Sequence, residues 1–258
     1  MISMVLGLGP ITKIIRSRLR EFSRGLICFL IFACAPQVEP IATECALNSD
    51  QKMTLRGHWS VHPIPLAVQA VDFSASELAS VQAAIDTWNT FFQESKGFSL
   101  FLSGTSSLDV LGSGGGHPTT RTICSQQMVD EHGFTQHLMI YKVTSGWSYG
   151  SAVIGLTSTC PVSTSSSVYP IYSAGMMEIN FQNFFVSGQP VPDLQTIITH
   201  ELGHLMGVDH SCSGSGCAAA PEDYVQAVMY PSIGFDGIQG RAKRVLQPND
   251  QKRANCLY

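Results

Sequence analysis

The sequence predicts an α+β domain, and three observations carry that expectation. A strand-like run leads at Ser74 into a capped amphipathic helix. Further strand-like runs recur between residues 98 and 181. A second capped helix starts after Asp193, with a mostly irregular segment beyond it.

In chain order, Ile64 to Phe73 intersperses apolar and small residues and reads as a strand. Ser74 and Glu77 form a capping-box pattern, in which each side chain satisfies a free amide at a helix start. The helix that follows places Leu78, Val81, Ile85, Trp88 and Phe92 at spacings of three and four, one buried face, and Gly97 ends it. Phe98 to Leu102 reads as a second strand. Residues 103–120 are rich in Ser, Gly and Thr, and Gly114, Gly115 and Gly116 predict a flexible surface loop. His137 to Val143 and Ser151 to Leu156 read as strands around a turn at Gly146 to Gly150. A polar loop, Thr157 to Ser167, leads to the apolar segment Met176 to Phe181. Pro190 and Pro192 precede Asp193, a good N-cap for a helix running to about Met206. Residues 211–248 read as mostly irregular, and a short C-terminal helix is expected near Asn249 or Asp250. There is no internal repeat and no second domain.

Hydrophobic residues make up 44% of the 258, enough for a globular core, while only 13% are charged. Of 15 basic and 19 acidic residues, the first 33 positions hold five and one, leaving 10 and 18 and a net charge of −8 on the rest. So acidic a body is a poor ligand for phosphate backbones, which excludes a nucleic-acid partner. Lys13 to Arg24 precedes the apolar run Gly25 to Ala33, too short for a bilayer span but suited to an export signal. Ile31-Phe32-Ala33-Cys34 resembles a bacterial lipobox, which implies Cys34 as a lipidation site and a membrane contact made only through that anchor. Ordinary cleavage near Ala33 or Ala35 and a retained anchor are the alternatives. Six further cysteines, Cys45, Cys124, Cys160, Cys212, Cys217 and Cys256, suggest up to three disulfides in an exported chain. Fifteen connectivities are open; Cys212 with Cys217 would close a small loop, and Cys45 with Cys256 would tie the ends together.

The chemistry concentrates in HELGHLMGVDH, His200 to His210. Residues i and i+4 share a helix face, so His200 and His204 can present imidazoles to one metal ion. Glu201 is placed beside that face, where a base for a metal-activated water belongs. Gly207 can take positive φ and turn the chain so that His210 returns as a third ligand, leaving a fourth tetrahedral position for substrate. A bare H-x-x-x-H is often a surface or core pair. Here the glycine and third histidine fall at the required offsets, on a helix with a start signal and the core residues Leu194, Ile198, Leu202 and Leu205.

This motif resembles that of the metzincin zinc peptidases, and Ser211 directly after it is similar to the matrixin-like branch. Met229, in AVMYPS, matches the methionine of the clan's Met-turn beneath the zinc histidines. Tyr230 sits one place after it, not two, and so does not match the tyrosine ligand of astacins and serralysins. More loosely, AAIDTWN (83–89), GLTSTCP (from Gly155), MEINFQ (from Met177) and the closing LQPNDQKRANCLY are similar to the first helix, cleft-edge strand, following strand and last helix of matrixin domains. Together the similarity spans about residues 55–258. The resemblance implies a twisted, mostly parallel sheet with an antiparallel edge strand, an active-site helix and an irregular C-terminal subdomain ending in a helix. It implies a zinc-dependent endopeptidase, a monomer acting on protein or peptide substrates, with one catalytic Zn2+ on His200, His204 and His210 and Glu201 as general base. The expected organisation is an export signal at 1–33, a tether or lead-in at 34–55 and the catalytic domain at 56–258. The chain departs from the family in lacking a cysteine-switch segment and the H-x-D spacing of a structural zinc site. His117, His132 and His137 read as solvated loop histidines, and although Ca2+ is compatible with the family, the sequence does not indicate it. A non-catalytic zinc-stabilised binding module and a zinc hydrolase acting on peptidoglycan crosslinks are the competing readings.

Overall fold

Strand β1, Ile64–Gln69, is buried along almost its whole length, and β6, Leu138–Val143, and β8, Ile171–Asn180, are nearly as dry. Runs buried on both faces belong in a parallel sheet, and that is where the computed structural model puts them. It describes residues 45–69, 72–102, 109–111, 123–125, 128–130, 133–162 and 168–258. Expectations that fall on 1–44, including the export signal and Cys34, lie outside the described residues, as do the Gly114 to Gly116 loop, His117 and His132.

The sheet runs β2 (Phe101–Leu102), β1, β6, β8 and β7 (Gly155–Val162), with β3 (Asp109–Leu111) also paired to β1. Every pairing is parallel except β7 with β8, so an antiparallel strand forms one edge. Two ribbons of two-residue strands lie outside it: β4 (Val129–Asp130) with β5 (Gly133–Phe134), and β9 (Phe235–Asp236) with β10 (Gln239–Gly240). There are five helices among the described residues: α1 (Ser49–Lys52), α2 (Ala75–Lys96), α3 (Leu194–Met206), α4 (Glu222–Gln226) and α5 (Pro248–Asn255). The architecture is α+β.

Helix α2 begins with the capping box: Ser74 Oγ accepts from the Glu77 amide, and Glu77 Oε2 accepts from the Ser74 amide at 2.7 Å. It ends at Gly97 with φ +78°. Its buried face, Val81, Ile85, Trp88 and Phe92, packs toward α3, where the Trp88 indole donates to the Thr199 carbonyl at 2.8 Å. Helix α3 in turn lies against β7 and β8.

Two expectations are corrected. The strand placed at Ser151 to Leu156 is shifted to Gly155–Val162, and the start of the polar loop from Thr157 is that edge strand. Its polar run misleads because the Ser and Thr side chains are not all in water. Ser158 is buried with Cys160, while Thr157, on the alternate face, bonds to α3. Nor are residues 45–55 an irregular lead-in. Helix α1 sits there with Gln51 buried, and Leu55 is a core residue bridged to Val208. Smaller differences are a second strand reduced to Phe101–Leu102 and a 3-10 turn at Gly214–Ala219 within the irregular region.

Three disulfides join Cys45 to Cys256, Cys124 to Cys160 and Cys212 to Cys217. Two of these are the pairings that proximity to the chain ends and loop length suggested. Such bonds persist in an oxidising, exported environment. Among the described residues, no helix is long and apolar enough to cross a membrane.

Candidate metal centre

Helix α3 opens on Asp193, whose carboxylate accepts from the Thr196 amide at 3.0 Å and the Thr196 hydroxyl at 2.7 Å. Its apolar side, Ile198, Leu202 and Leu205, is buried in the core. The other side carries His200 and His204 one turn apart. The helix stops at Gly207, at φ +112°, where an added Cβ would lie 1.8 Å from the Gly57 carbonyl oxygen. Only glycine fits both the left-handed backbone and that approach. The turn brings His210 back, and the ligating atoms of His200, His204 and His210 all lie within 4.8 Å of one another.

The ring orientations are set from outside the helix. His200 Nδ1 lies 2.8 Å from the Val228 carbonyl and His204 Nδ1 2.9 Å from the Val208 carbonyl. A carbonyl only accepts, so each Nδ1 carries the proton and each Nε2 keeps its lone pair for a metal. His210 differs: Asp209 Oδ1 is 3.9 Å from its Nδ1, too far for a hydrogen bond. Burial pushes all three imidazoles below their usual range; neighbouring histidines add to it at His200 and His204, while at His210 Asp209 opposes it and Arg253 and Arg56 add to it. His200 is held well below, and His204 is lowered to about 4. Neutral imidazole is the ligating form, so the donor set fits a divalent ion. Three histidines suit zinc and also copper, iron or nickel, so the donors alone do not name the metal.

Glu201 is 5% exposed. Its Oε2 accepts from the Thr157 hydroxyl at 2.8 Å, and its Oε1 faces Gly155, where an added Cβ would approach to 2.6 Å. Burial pushes the carboxyl up to about 7, with the Thr157 bond opposing. Met229 is fully buried against α3: a Cβ on Gly203, between the two helical histidines, would come within 2.2 Å of its sulfur. The three histidines and Glu201 line a cleft of about 840 Å3. Ile154, Phe184, Ile197, Ile233 and Phe235 supply apolar parts of its lining, and Arg56, Asp209 and Tyr172 are also among its walls.

Sequence reasoning missed several contributors. Thr157 lay in an expected loop by its polarity, although the similarity of GLTSTCP to a cleft-edge strand placed it in the strand that the structure shows. Arg56, whose guanidinium bonds Asp209, stood at the first position of the expected catalytic domain and outside every motif. Asp250 and Arg253 carried no signal beyond their place near a helix start. Of the weighed histidines, His137 is half-buried outside the cluster.

No protein-family model matches the chain, and no curated protein matches it either. The functional reading therefore rests on these residues and their geometry.

Proposed function

We propose that this chain is a zinc-dependent endopeptidase of the metzincin type, similar to the matrixins, that hydrolyses peptide bonds in proteins. One observation carries the reading. Three neutral histidines converge at a cleft beside a buried carboxylate that a neighbouring strand holds in place. A purely structural site has no use for that carboxylate.

His200, His204 and His210 would hold the ion. When bound, zinc polarises a carbonyl oxygen and acidifies a water to a pKa of ~7. The chain's own residues do the rest. A peptide in the cleft pairs its backbone with β7, the terminal strand of the sheet, by β-augmentation. Glu201 takes the proton of the attacking water and returns it to the leaving amine. Because Thr157 holds Oε2, Oε1 is the atom that carries the proton. Met229 supports the helix under the ligands. In the same reading the enzyme is an exported monomer, with Cys34 as a lipid anchor; metabolic labelling with palmitate tests that anchor.

The direct test is cleavage of a diverse peptide mixture, with products read by mass spectrometry. Wild type cleaves; chelation abolishes cleavage; Glu201→Ala folds, retains zinc and loses turnover by ~10²–10⁴-fold or more. Retained turnover in that variant refutes the role of Glu201. A folded, zinc-loaded wild type that cleaves no peptide supports the binding module or a non-peptide substrate instead.

A further inference from the structure

Helix α5 packs two buried charged residues, Asp250 and Arg253, under the metal centre, and both are fully inaccessible. A buried carboxylate and guanidinium without an apolar substitute call for an explanation, because desolvating such a pair is costly unless its geometry does something else. The bonds they make supply one. Asp250 Oδ2 accepts from the Val228 amide at 2.9 Å and the Gln247 amide at 3.0 Å, and Oδ1 accepts from the Met229 amide at 3.1 Å. Val228 is the residue whose carbonyl orients His200, and Met229 is the residue on which the ligand helix rests.

One turn away, Arg253 reaches the other side of the centre. Its Nη1 donates to the Asp209 carbonyl at 2.7 Å and to Thr54 Oγ1 at 3.3 Å. Asp209 immediately precedes His210, and its amide donates to the Thr54 carbonyl at 2.7 Å. The two charges are joined, Arg253 Nη2 lying 3.5 Å from Asp250 Oδ1. A single helical turn thus grips the strap behind His200 and the loop that delivers His210. Those two ligands are ten residues apart and have no direct bond to each other among the described contacts.

We propose that Asp250 and Arg253 are positioning residues for the metal centre, fixing the distance between His200 and His210 rather than touching ion or substrate. The proposal rests on the reading that the triad binds a metal. Outer-layer residues of this kind set ligand orientation, and their loss typically weakens metal affinity by ~10–100-fold.

The test uses the full chain with its disulfides oxidised, Zn2+ affinity by competition with a chromophoric chelator, and the visible spectrum of the Co2+-loaded protein. Asp250→Asn and Arg253→Met are expected to weaken Zn2+ by ~10–100-fold and to change the Co2+ bands. Arg253→Lys recovers part of the affinity, since an ammonium reaches one of the two acceptors. Leu100→Ala, a core change outside the helix and loops of the centre, serves as the stability control and keeps wild-type affinity despite a lower Tm. Affinities and spectra of the two variants equal to wild type, or shifted no more than in Leu100→Ala, overturn the positioning role while leaving the metal site standing. A wild type that binds neither Zn2+ nor Co2+ removes the metal site and the positioning role together. Should Arg253→Met not fold, Asp250→Asn and Arg253→Lys decide the matter.

Discussion

Gly155→Ala separates catalysis from folding at this site. The backbone of Gly155 is not in the left-handed region, so alanine is tolerated there, and the added methyl limits the unfolded chain, a stabilising effect of about 0.4–1 kcal/mol. The methyl would stand 2.6 Å from Glu201 Oε1 and 2.9 Å from its Cδ and Cγ. Ordinary contact begins near 3.4 Å, so Oε1 must retreat by about 0.8 Å and Cδ and Cγ by about 0.5 Å, and the displaced atoms all belong to one side chain rather than to backbone. Stability should therefore change by no more than about 1 kcal/mol, the crowding offset by the chain-entropy gain. Catalysis has no such slack. A displacement near 1 Å of a reacting group costs ~10²-fold, close to 2.7 kcal/mol of barrier. The assay is kcat/KM on a peptide that wild type cleaves, with Tm and Zn2+ content measured on the same sample. The expected result is a folded, zinc-loaded protein slowed about a hundredfold. A variant within about threefold of wild type in kcat/KM would show that the proton is not carried at Oε1.

Two further predictions concern the fold around the centre. Gly207→Ala should lower stability by about 3 kcal/mol or more, because φ of +112° and a 1.8 Å approach to the Gly57 carbonyl leave backbone facing backbone with nothing free to rotate. Urea unfolding measures it, and a loss below about 1 kcal/mol contradicts the reasoning. At Asp193, burial pushes the carboxyl up, but the bonds from Arg244 and Thr196 prevail and hold it below its ordinary 3.8. A depressed acid stabilises the fold above its unfolded pKa and loses that contribution as pH falls through the folded value. The stability advantage of wild type over Asp193→Asn, within about 1 kcal/mol for so accessible an Arg partner, should thus be fully present at pH 7 and smaller at pH 3, below the unfolded pKa. An equal difference at both pH values rules the ion pair out as its source.

What the sequence determined by itself is local. The offsets from His200 to His210 follow from helix periodicity and one glycine turn. The start and stop of α2 and α3 follow from Ser74, Glu77, Gly97, Asp193 and Gly207, each acting within a few residues of itself. Those are short-range conformational preferences, and a pattern in the chain suffices to state them. The remainder joins residues far apart, and tertiary structure alone decided it. Thr157 meets Glu201 across 44 positions, Arg253 meets Thr54 across 199, and Cys124 meets Cys160. Polar residues make the same point most sharply. The run from Thr157 to Thr159 looks like a water-exposed loop until the sheet edge and α3 supply its hydrogen bonds, and Asp250 and Arg253 look like surface charges until the strap behind the histidines closes over them. A side chain that can bond either to water or to distant backbone carries no local mark of which partner it will have.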